Sequence, residues 1–547
     1  MDKGKFNSIR FNIIAIILIV IFSIAITPKT LQNDTFYTIK IGEYILENGV
    51  TMEEPFSWHD NLEYTFPHWA YDVMIYQIYN LGGMAGIYIS TMVFSALLGI
   101  AIYFVNVKLA KNRTVSFIIT IVTMFTLKNF ICARAQLVTF ILFILTIYFI
   151  EKFLETRKLR HAIALIIIPL LIANLHLATF YFYFILFLPY IAEYGMYILA
   201  YSNVIISEVV INSINKKIQK NGETPELKAK LKKAEEKHKK LKAKQDKKMQ
   251  DPYKVRINGN NNIKWLILIM IIALFTGLLT PLGDTPYTYL IKTMQGNSTQ
   301  NINEHLPLVL ADSMIVLLAI IFFVVSLMLV KIKIRLSDLF MIAGLILLTL
   351  FSRRQASMLL LIGSLGINRI LSQILLLYGP NALKKIDEKV SKLIGVVIIS
   401  IVVITASIMQ YKEIKDDMYY NGNEYPIQAT AWIKENLNVE EIKLYNEYNF
   451  GSYLIFENIP VFIDSRCDLY MPEFNENMNA FSDFLNLNGW NLNDMQGKID
   501  EYGFTHFIVS NNTKMKLYLE SNDELYNKIY PAGEFEDKYF TIFERVK

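Results

Sequence analysis

The chain runs to 547 residues, 53% of them hydrophobic, with a mean hydropathy of +0.32. So apolar a composition excludes an ordinary water-soluble globular protein. The net charge of +5 points to no class of partner until its placement along the chain is read.

About eleven apolar runs succeed one another, at 11–27, 85–105, 114–127, 137–154, 162–173, 177–200, 264–280, 313–330, 338–351, 356–378 and 393–410. Several approach the ~20 residues that carry a helix across a ~30 Å hydrocarbon core. The shorter ones, 114–127, 162–173 and 338–351, fit buried, tilted or broken helices as well as spans. The first run ends in Ile24-Ala25-Ile26-Thr27-Pro28. That stretch lacks a small-residue cleavage pattern, so the run is expected to stay as a membrane helix.

Lysine and arginine in short loops mark the cytoplasmic side. They cluster at Lys3, Lys5 and Arg10, at Lys108, Lys111 and Arg113, and at Lys152, Arg157, Lys158 and Arg160. They return in a long insert at 211–264, at Lys331, Lys333 and Arg335, and at Lys384, Lys385, Lys389 and Lys392. Every second loop is basic. With eleven spans this places the N-terminus inside and the C-terminus outside. The expected architecture is a polytopic α-helical membrane protein of about eleven transmembrane helices. Residues 1–411 form the membrane module, with a large first outer loop at 28–84. Residues 412–547 form a small extracytoplasmic α/β domain.

The insert reads as a helix over 216–254, with Leu227, Leu231, Ala234, His238 and Leu241 on one weak stripe of a basic rod. Three readings stand: a solvated charged helix, a helix on anionic headgroups, or a short coiled-coil contact. Aromatics do not interleave its lysines, so no nucleic-acid partner is expected. In the tail, 429–437, 495–502 and 514–520 read as helices. The segments 443–445, 453–456, 461–464, 506–510 and 539–543 read as strands. Cys132 and Cys467 are too isolated for a disulfide framework or zinc motif and read as free buried thiols.

The unusual polar residues fall in the loops assigned to the outer side. Asp34 stands just after the first apolar run. Arg134, His176 and Arg353 abut apolar runs, where charge is costly. Transfer from a sugar-phosphate carrier needs a base for the incoming hydroxyl and cations for the leaving phosphate. Asp34 is the candidate base. Arg134, Arg353 and Arg354 are candidate phosphate clamps, although arginines at helix ends also snorkel to headgroups. His176 and Glu304 complete the candidate substrate and phosphate contacts. Glu54, His68, Trp69 and Asp72 are the candidate acceptor or loop contacts. Four outer-loop histidines, His59, His68, His176 and His305, with Glu54, Asp72 or Glu304, leave a divalent metal site open. Trp58, Trp69, Tyr64 and Phe66 fit an interfacial aromatic belt or sugar stacking. In the tail, Asp464 and Arg466 fit either ligand contacts on a loop or an ion pair that pins it.

The run Asp34-Thr35-Phe36-Tyr37-Thr38-Ile39-Lys40-Ile41-Gly42-Glu43-Tyr44-Ile45, then Glu54-Pro55-Phe56-Ser57 and Pro67-His68-Trp69-Ala70-Tyr71-Asp72, resembles the first outer loop of bacterial GT-C-type membrane glycosyltransferases. These are polyprenyl-phosphate-sugar-dependent enzymes related to protein O-mannosyltransferases and aminoarabinose transferases. Later motifs in order add to the resemblance: Ala133-Arg134-Ala135-Gln136, Ala173-Asn174-Leu175-His176, Ile302-Asn303-Glu304-His305, Ser352-Arg353-Arg354-Gln355, and the tail segments 449–453 and 463–466. The resemblance implies a short helix parallel to the membrane in the first loop. It also implies sugar transfer from a polyprenyl-phosphate carrier to a glycan, lipid or protein acceptor, on the outer face of a bacterial plasma membrane. The first-loop acid of such enzymes serves as base or helps hold a divalent metal, and that role carries over to Asp34. The chain departs from the pattern where a second acid is usual: the second outer loop offers Arg134. Two other classes stay open, a non-catalytic envelope scaffold and a lipid-linked saccharide transporter. Charges held at the rim, without internal repeats, favour surface chemistry over translocation.

Overall fold

The computed structural model describes residues 3–250, 255–296, 301–489, 495–532 and 536–546. Each of the apolar runs lies on a helix. Five helices among the described residues are long and apolar enough to cross a membrane: Trp69–Ala110, Ala135–Thr156, Leu177–Ala200, Arg353–Tyr378 and Leu393–Ile414. Shorter apolar helices are Ile9–Ala25, Arg113–Thr126, Leu159–Leu175, Ile263–Leu278, Met314–Leu329 and Leu336–Phe351. The run at 177–200 is broken at Leu186–Phe187, just before Pro189, whose ring supplies no N–H to continue the ladder.

Four helices open the chain: α1 (Lys3–Ala25), α2 (Asn33–Asn48), α3 (Trp69–Ala110) and α4 (Arg113–Thr126). Asp34 sits in the first turn of α2, where a carboxylate complements the exposed N–H groups of the helix end. Gly42 lets α2 lie directly on α3: a Cβ there would stand 2.2 Å from the Asp72 carbonyl oxygen. Inside α3, Gly83 takes φ 56 and ψ −150, a backbone that breaks the helix in two. Residues before Gly83 therefore belong to the layer of α2, and the apolar part follows.

The loops that the lysine pattern groups together meet in space. At one end, Glu151 accepts from Arg335 Nη1 at 2.9 Å and pairs with Arg369 Nη2 at 3.0 Å. At the other end, Leu177 N–H donates to Pro67 O at 2.8 Å and Arg354 N–H donates to Glu304 O at 2.9 Å. One hydrophobic cluster fills the helix bundle. A second joins the first loop to the tail, with Phe36, Ile41, Leu62 and Phe66 packed among Leu444, Phe462 and Ile508. Phe36 is wholly buried and meets the rings of Tyr425 and Tyr453 at 5.0 and 5.3 Å.

Two very short strands, β1 (Val255–Arg256) and β2 (Ile334–Arg335), pair in parallel. The tail carries a sheet of β3 (Leu444–Tyr445), β4 (His506–Ser510), β5 (Tyr526–Tyr530) and β6 (Phe540–Arg545), in the order β3-β4-β6-β5. The pair β3–β4 is parallel and the others are antiparallel. Helices Ile427–Asn436, Met495–Tyr502 and Lys514–Ser521 form where the sequence predicts them. Two expected strands are corrected. Residues 453–456 lie in a helix, Tyr448–Phe456, buried from Phe450 through Ile455, so burial on all sides erased the helical period. Residues 461–464 join no sheet; their backbone pairs with the first loop, Val461 N–H donating to Phe56 O at 3.2 Å and Trp58 N–H to Val461 O at 3.3 Å.

The basic insert is a helical hairpin of α9 (Ser202–Asn221) and α10 (Pro225–Gln250), the numbering α5–α8 being taken by Ala135–Thr156, Leu159–Leu175, Phe180–Ile185 and Leu188–Ala200. Leu227, Leu231, Ala234, His238 and Leu241 are all half-buried on α10, and α10 packs on α9. His238 Nδ1 lies 2.9 Å from Ser207 Oγ. The stripe thus serves an intramolecular helix–helix contact; residues 251–254 of the predicted helix lie outside the described residues.

Arg466 is the strongest tie between tail and first loop. It pairs with Glu54 and with Asp464 (2.7 Å), all with side chains at most 1% exposed. Replacing Arg466 by Ala strands two buried carboxylates and is expected to cost about 3–5 kcal/mol. Losing the partly exposed Lys434–Glu457 pair is expected to cost no more than about 1 kcal/mol. Thermal unfolding of R466A and K434A in detergent checks this, and equal midpoints would dismiss the buried network as the tie.

Candidate functional site

A cavity of about 740 Å³ lies where the first loop, the bundle's loop end and the tail converge. Asp34, His68, Arg134, His176, Glu304 and Arg354 all line it. Each comes from a different element. Asp34 opens α2. His68 precedes α3. Arg134 is the extended residue just before α5, at φ −130 and ψ 154. His176 caps α6 in a non-helical conformation. Glu304 lies in the segment before Pro307, and Arg354 lies in a 3-10 turn, Arg353–Gln355, that opens the helix Ala356–Tyr378.

The charges alternate. Arg134 Nη2 is 2.6 Å from Asp34 Oδ2, and its Nη1 is 3.8 Å from Glu304 Oε2. Glu304 Oε1 is in turn 3.4 Å from Arg354 Nη1. Burial pushes the Glu304 pKa up, but Arg354, Arg134 and His305 together outweigh it, and the net shift is downward. His176 is pulled well below the ordinary histidine range by burial, then by Arg354, His68 and Arg134. It is therefore neutral, a hydrogen-bonding group and no cation for phosphate. Its Nδ1 lies 2.9 Å from Thr139 Oγ1, whose hydroxyl donates to Ala135 O at 3.1 Å. With that hydroxyl proton in use, Nδ1–H is the donor and Nε2 is left as an acceptor.

Of the remaining predicted residues, Tyr64, His305, Arg466 and Cys467 also border the cavity, while Arg353, Glu54, Trp69 and Asp72 stand apart from its wall. Arg353 points its Nε to Pro307 O at 3.3 Å, and its neighbour Arg354 faces the cavity. Glu54 is consumed by Arg466. Trp69 Nε1 donates to Asn174 Oδ1 at 3.1 Å, which ties the first loop to the end of α6. Asp72 is fully buried behind His68, its Oδ1 2.6 Å from His68 Nδ1. Tyr64 and Phe66 lie in the core of the outer layer, and Trp58 Nε1 donates to Leu444 O at 3.0 Å. His59 Nε2–H donates to Phe462 O at 2.9 Å. Cys132 and Cys467 are both free and buried.

Sequence reasoning did not single out Tyr37, Thr139, Tyr289 or Asp468 as site residues, yet all line the cavity. The Tyr289 hydroxyl donates to Asp468. Burial raises the Asp468 pKa, opposed by hydrogen bonds from Tyr289 and Thr293 and by Arg354. Tyr37 was visible as part of the Asp34 run, one helical turn on. Nothing local marks Tyr289, which reaches the cavity from the helix Thr285–Gln295.

A divalent ion fits this donor set poorly. Among the described residues no group of three or more His, Cys, Asp or Glu is arranged to hold one. The two carboxylates that face each other, Asp34 and Glu304, already have a guanidinium between them.

No family model and no curated protein matches the sequence. Solved structures do. The Archaeoglobus fulgidus oligosaccharyltransferase tethered to an acceptor peptide containing the NVT sequon superposes with a TM-score of 0.51 at 10% identity, covering 96% of this chain and 73% of that one. Its apo form gives 0.53 at 11% identity, covering 92% and 69%. The chain shares the fold of this oligosaccharyltransferase. The GT-C resemblance drawn from short motifs is thereby borne out at the level of the fold, and the apolar helices make the chain a multi-pass membrane protein.

His68 sets up a titration test. Burial pulls its pKa down, but the charge and hydrogen bond of Asp72 outweigh burial, and the net shift is upward. The stability this pair supplies is complete below the ordinary histidine value of about 6.5 and fades as pH rises through the higher folded value. In D72N the raising contribution is gone, so His68 is expected to titrate below its wild-type value. Histidine-labelled NMR across the pH range reads this directly; an unchanged or higher midpoint would contradict it.

Proposed function

We propose that the chain is a GT-C-type glycosyltransferase that moves a sugar from a polyprenyl-phosphate carrier to an envelope acceptor in this cavity. The observation that carries the reading is the cavity itself, which lies at the end of the bundle opposite the basic loops and combines carboxylates with arginines at bonding distance. The lysine pattern supports an extracytoplasmic position for that end, and the family resemblance supports a bacterial plasma membrane. Membrane lipids flank it, and the carrier's chain runs between helices.

The chemistry follows from the donor's polarity. An acceptor hydroxyl attacks the anomeric carbon, the carbon–oxygen bond to phosphate breaks, and the electron pair leaves with the polyprenyl phosphate. Asp34 takes the acceptor proton. Arg354 and Arg134 offset the charge that builds on the leaving phosphate, where guanidinium donors match phosphate oxygens. Neutral His176 and the Tyr37 hydroxyl offer hydrogen bonds to sugar or acceptor. His68 holds Tyr37, its Nε2 lying 3.3 Å from the Tyr37 oxygen. Glu304 orients the arginines. Arg353, Glu54, Trp69 and Asp72 support this site from behind its wall. A peptide belongs among the acceptors to be tried, because the related archaeal structure carries a tethered acceptor peptide.

Purified wild type and D34N, assayed with a panel of polyprenyl-phosphate sugars and glycan, lipid and peptide acceptors, test the reading. Loss of a general base is expected to lower turnover by about 10²–10⁴-fold. Full activity in D34N would remove Asp34 from the mechanism. No wild-type turnover with any donor would favour an envelope scaffold.

A further inference from the structure

Two carboxylates that share a confined space either share a proton or need a positive charge between them. Asp34 comes from α2, and Glu304 from a loop 270 positions later in the sequence. They meet at opposite nitrogens of one guanidinium: Nη2 for Asp34 at 2.6 Å, Nη1 for Glu304 at 3.8 Å. Arg134 is well placed for this. Its own N–H donates to Cys132 O at 2.8 Å, and its carbonyl accepts from Leu137 N–H at 3.1 Å, so the backbone is fixed where α5 begins. The guanidinium's Nε is buried without a hydrogen-bond partner, so its five donors are not all in use.

We propose that Arg134 is the resident cation of this cavity and stands in the place that a divalent ion takes in the glycosyltransferases the first loop resembles. A guanidinium carries one positive charge to a metal's two, keeps it at every accessible pH, and offers directional N–H donors in a planar fork. It joins the two loops as an ion would, and no chelator removes it. The acids of the cavity are then ligands to an arginine. The consequence for turnover rests on the proposed function; the ion-binding consequence does not.

The full-length protein in detergent, titrated with Mn²⁺ and followed by electron paramagnetic resonance, separates the two. For wild type, D34N is expected to leave the Mn²⁺ titration unchanged, since Asp34 binds no ion. Replacing the cation with an acid, R134D, is expected to create one site at least tenfold tighter than any in wild type. The double variant R134D/D34N should lose it. A wild-type Mn²⁺ site abolished by D34N would overturn the proposal, and that arm needs no altered Arg134. So would an R134D protein that keeps the wild-type melting profile and gains no site. In the activity arm, wild-type turnover with a polyprenyl-phosphate sugar should persist in EDTA within twofold. A tenfold loss restored by Mn²⁺ or Mg²⁺ would overturn the proposal while leaving the glycosyltransferase reading standing. Absent turnover with every donor would instead sink that reading and leave the Mn²⁺ titrations to decide the cation.

Discussion

Arg466 has to be neutralised where it lies. Its guanidinium is buried among aromatic rings, 4.9 Å from the centroid of Tyr64. Removing such a charge from water costs several kcal/mol unless partners replace the solvent. Glu54 and Asp464 are those partners, and Asp464 is held further by the hydroxyl of Tyr470 at 2.5 Å. Glu54 and Arg466 lie 412 positions apart in the chain. The charge requirement therefore fastens the first loop to the tail. Ser465, Arg466, Cys467 and Asp468 all border the cavity, so the same contact sets the position of one wall. The apolar cluster around Phe36 and Phe462 supplies the bulk of the adhesion, and the ion network supplies its register.

The cavity inherits a fixed arrangement of charge from this layering. Asp34 rides on α2, which Gly42 presses against α3 and Phe36 holds against the tail. Arg134, His176 and Arg354 ride on the ends of bundle helices. Their meeting depends on the outer layer sitting in register with the bundle. Leu177 N–H to Pro67 O and Trp69 to Asn174 are the contacts that enforce it. Trp69 and Glu54, neither on the cavity wall, thus matter through geometry.

Much of this was legible in the sequence. Apolar runs found their helices because bundle helices are apolar on most faces, and the lysines sorted the loops by end. The motif order pointed to the fold at an identity too low for sequence matching. The losses have physical causes. Tyr448–Phe456 is buried on every side, so neither a period of two nor one of 3.6 survives in its sequence. Arg353 and Arg354 are adjacent and chemically alike; the 3-10 turn decides which one faces the cavity. Glu54 looked like a ligand contact because it is acidic in a loop, but its partner is set by a pairing no local pattern encodes. The same holds for Tyr289 and Asp468, which meet across 179 positions. The leucine stripe of the insert was visible, while its answering face on α9 was masked by that helix's own apolar start.

The balance of charge within the cavity constrains how an anionic donor enters it. Asp34 and Glu304 are matched by Arg134 and Arg354, and His176 is held neutral. Because both arginines are already paired with carboxylates, a phosphate that binds them redistributes bonds already made. Arg134 is the group best able to exchange them, because it is shared unequally: close to Asp34 and looser to Glu304. A phosphate that takes the Glu304-facing nitrogen leaves the Asp34 contact intact and exposes Glu304 to Arg354 alone. A phosphate that takes the Asp34-facing nitrogen frees the carboxylate at the moment the leaving group is in place. Only the second exchange couples donor binding to the release of a base, and it does so through one side chain with no change in the backbone.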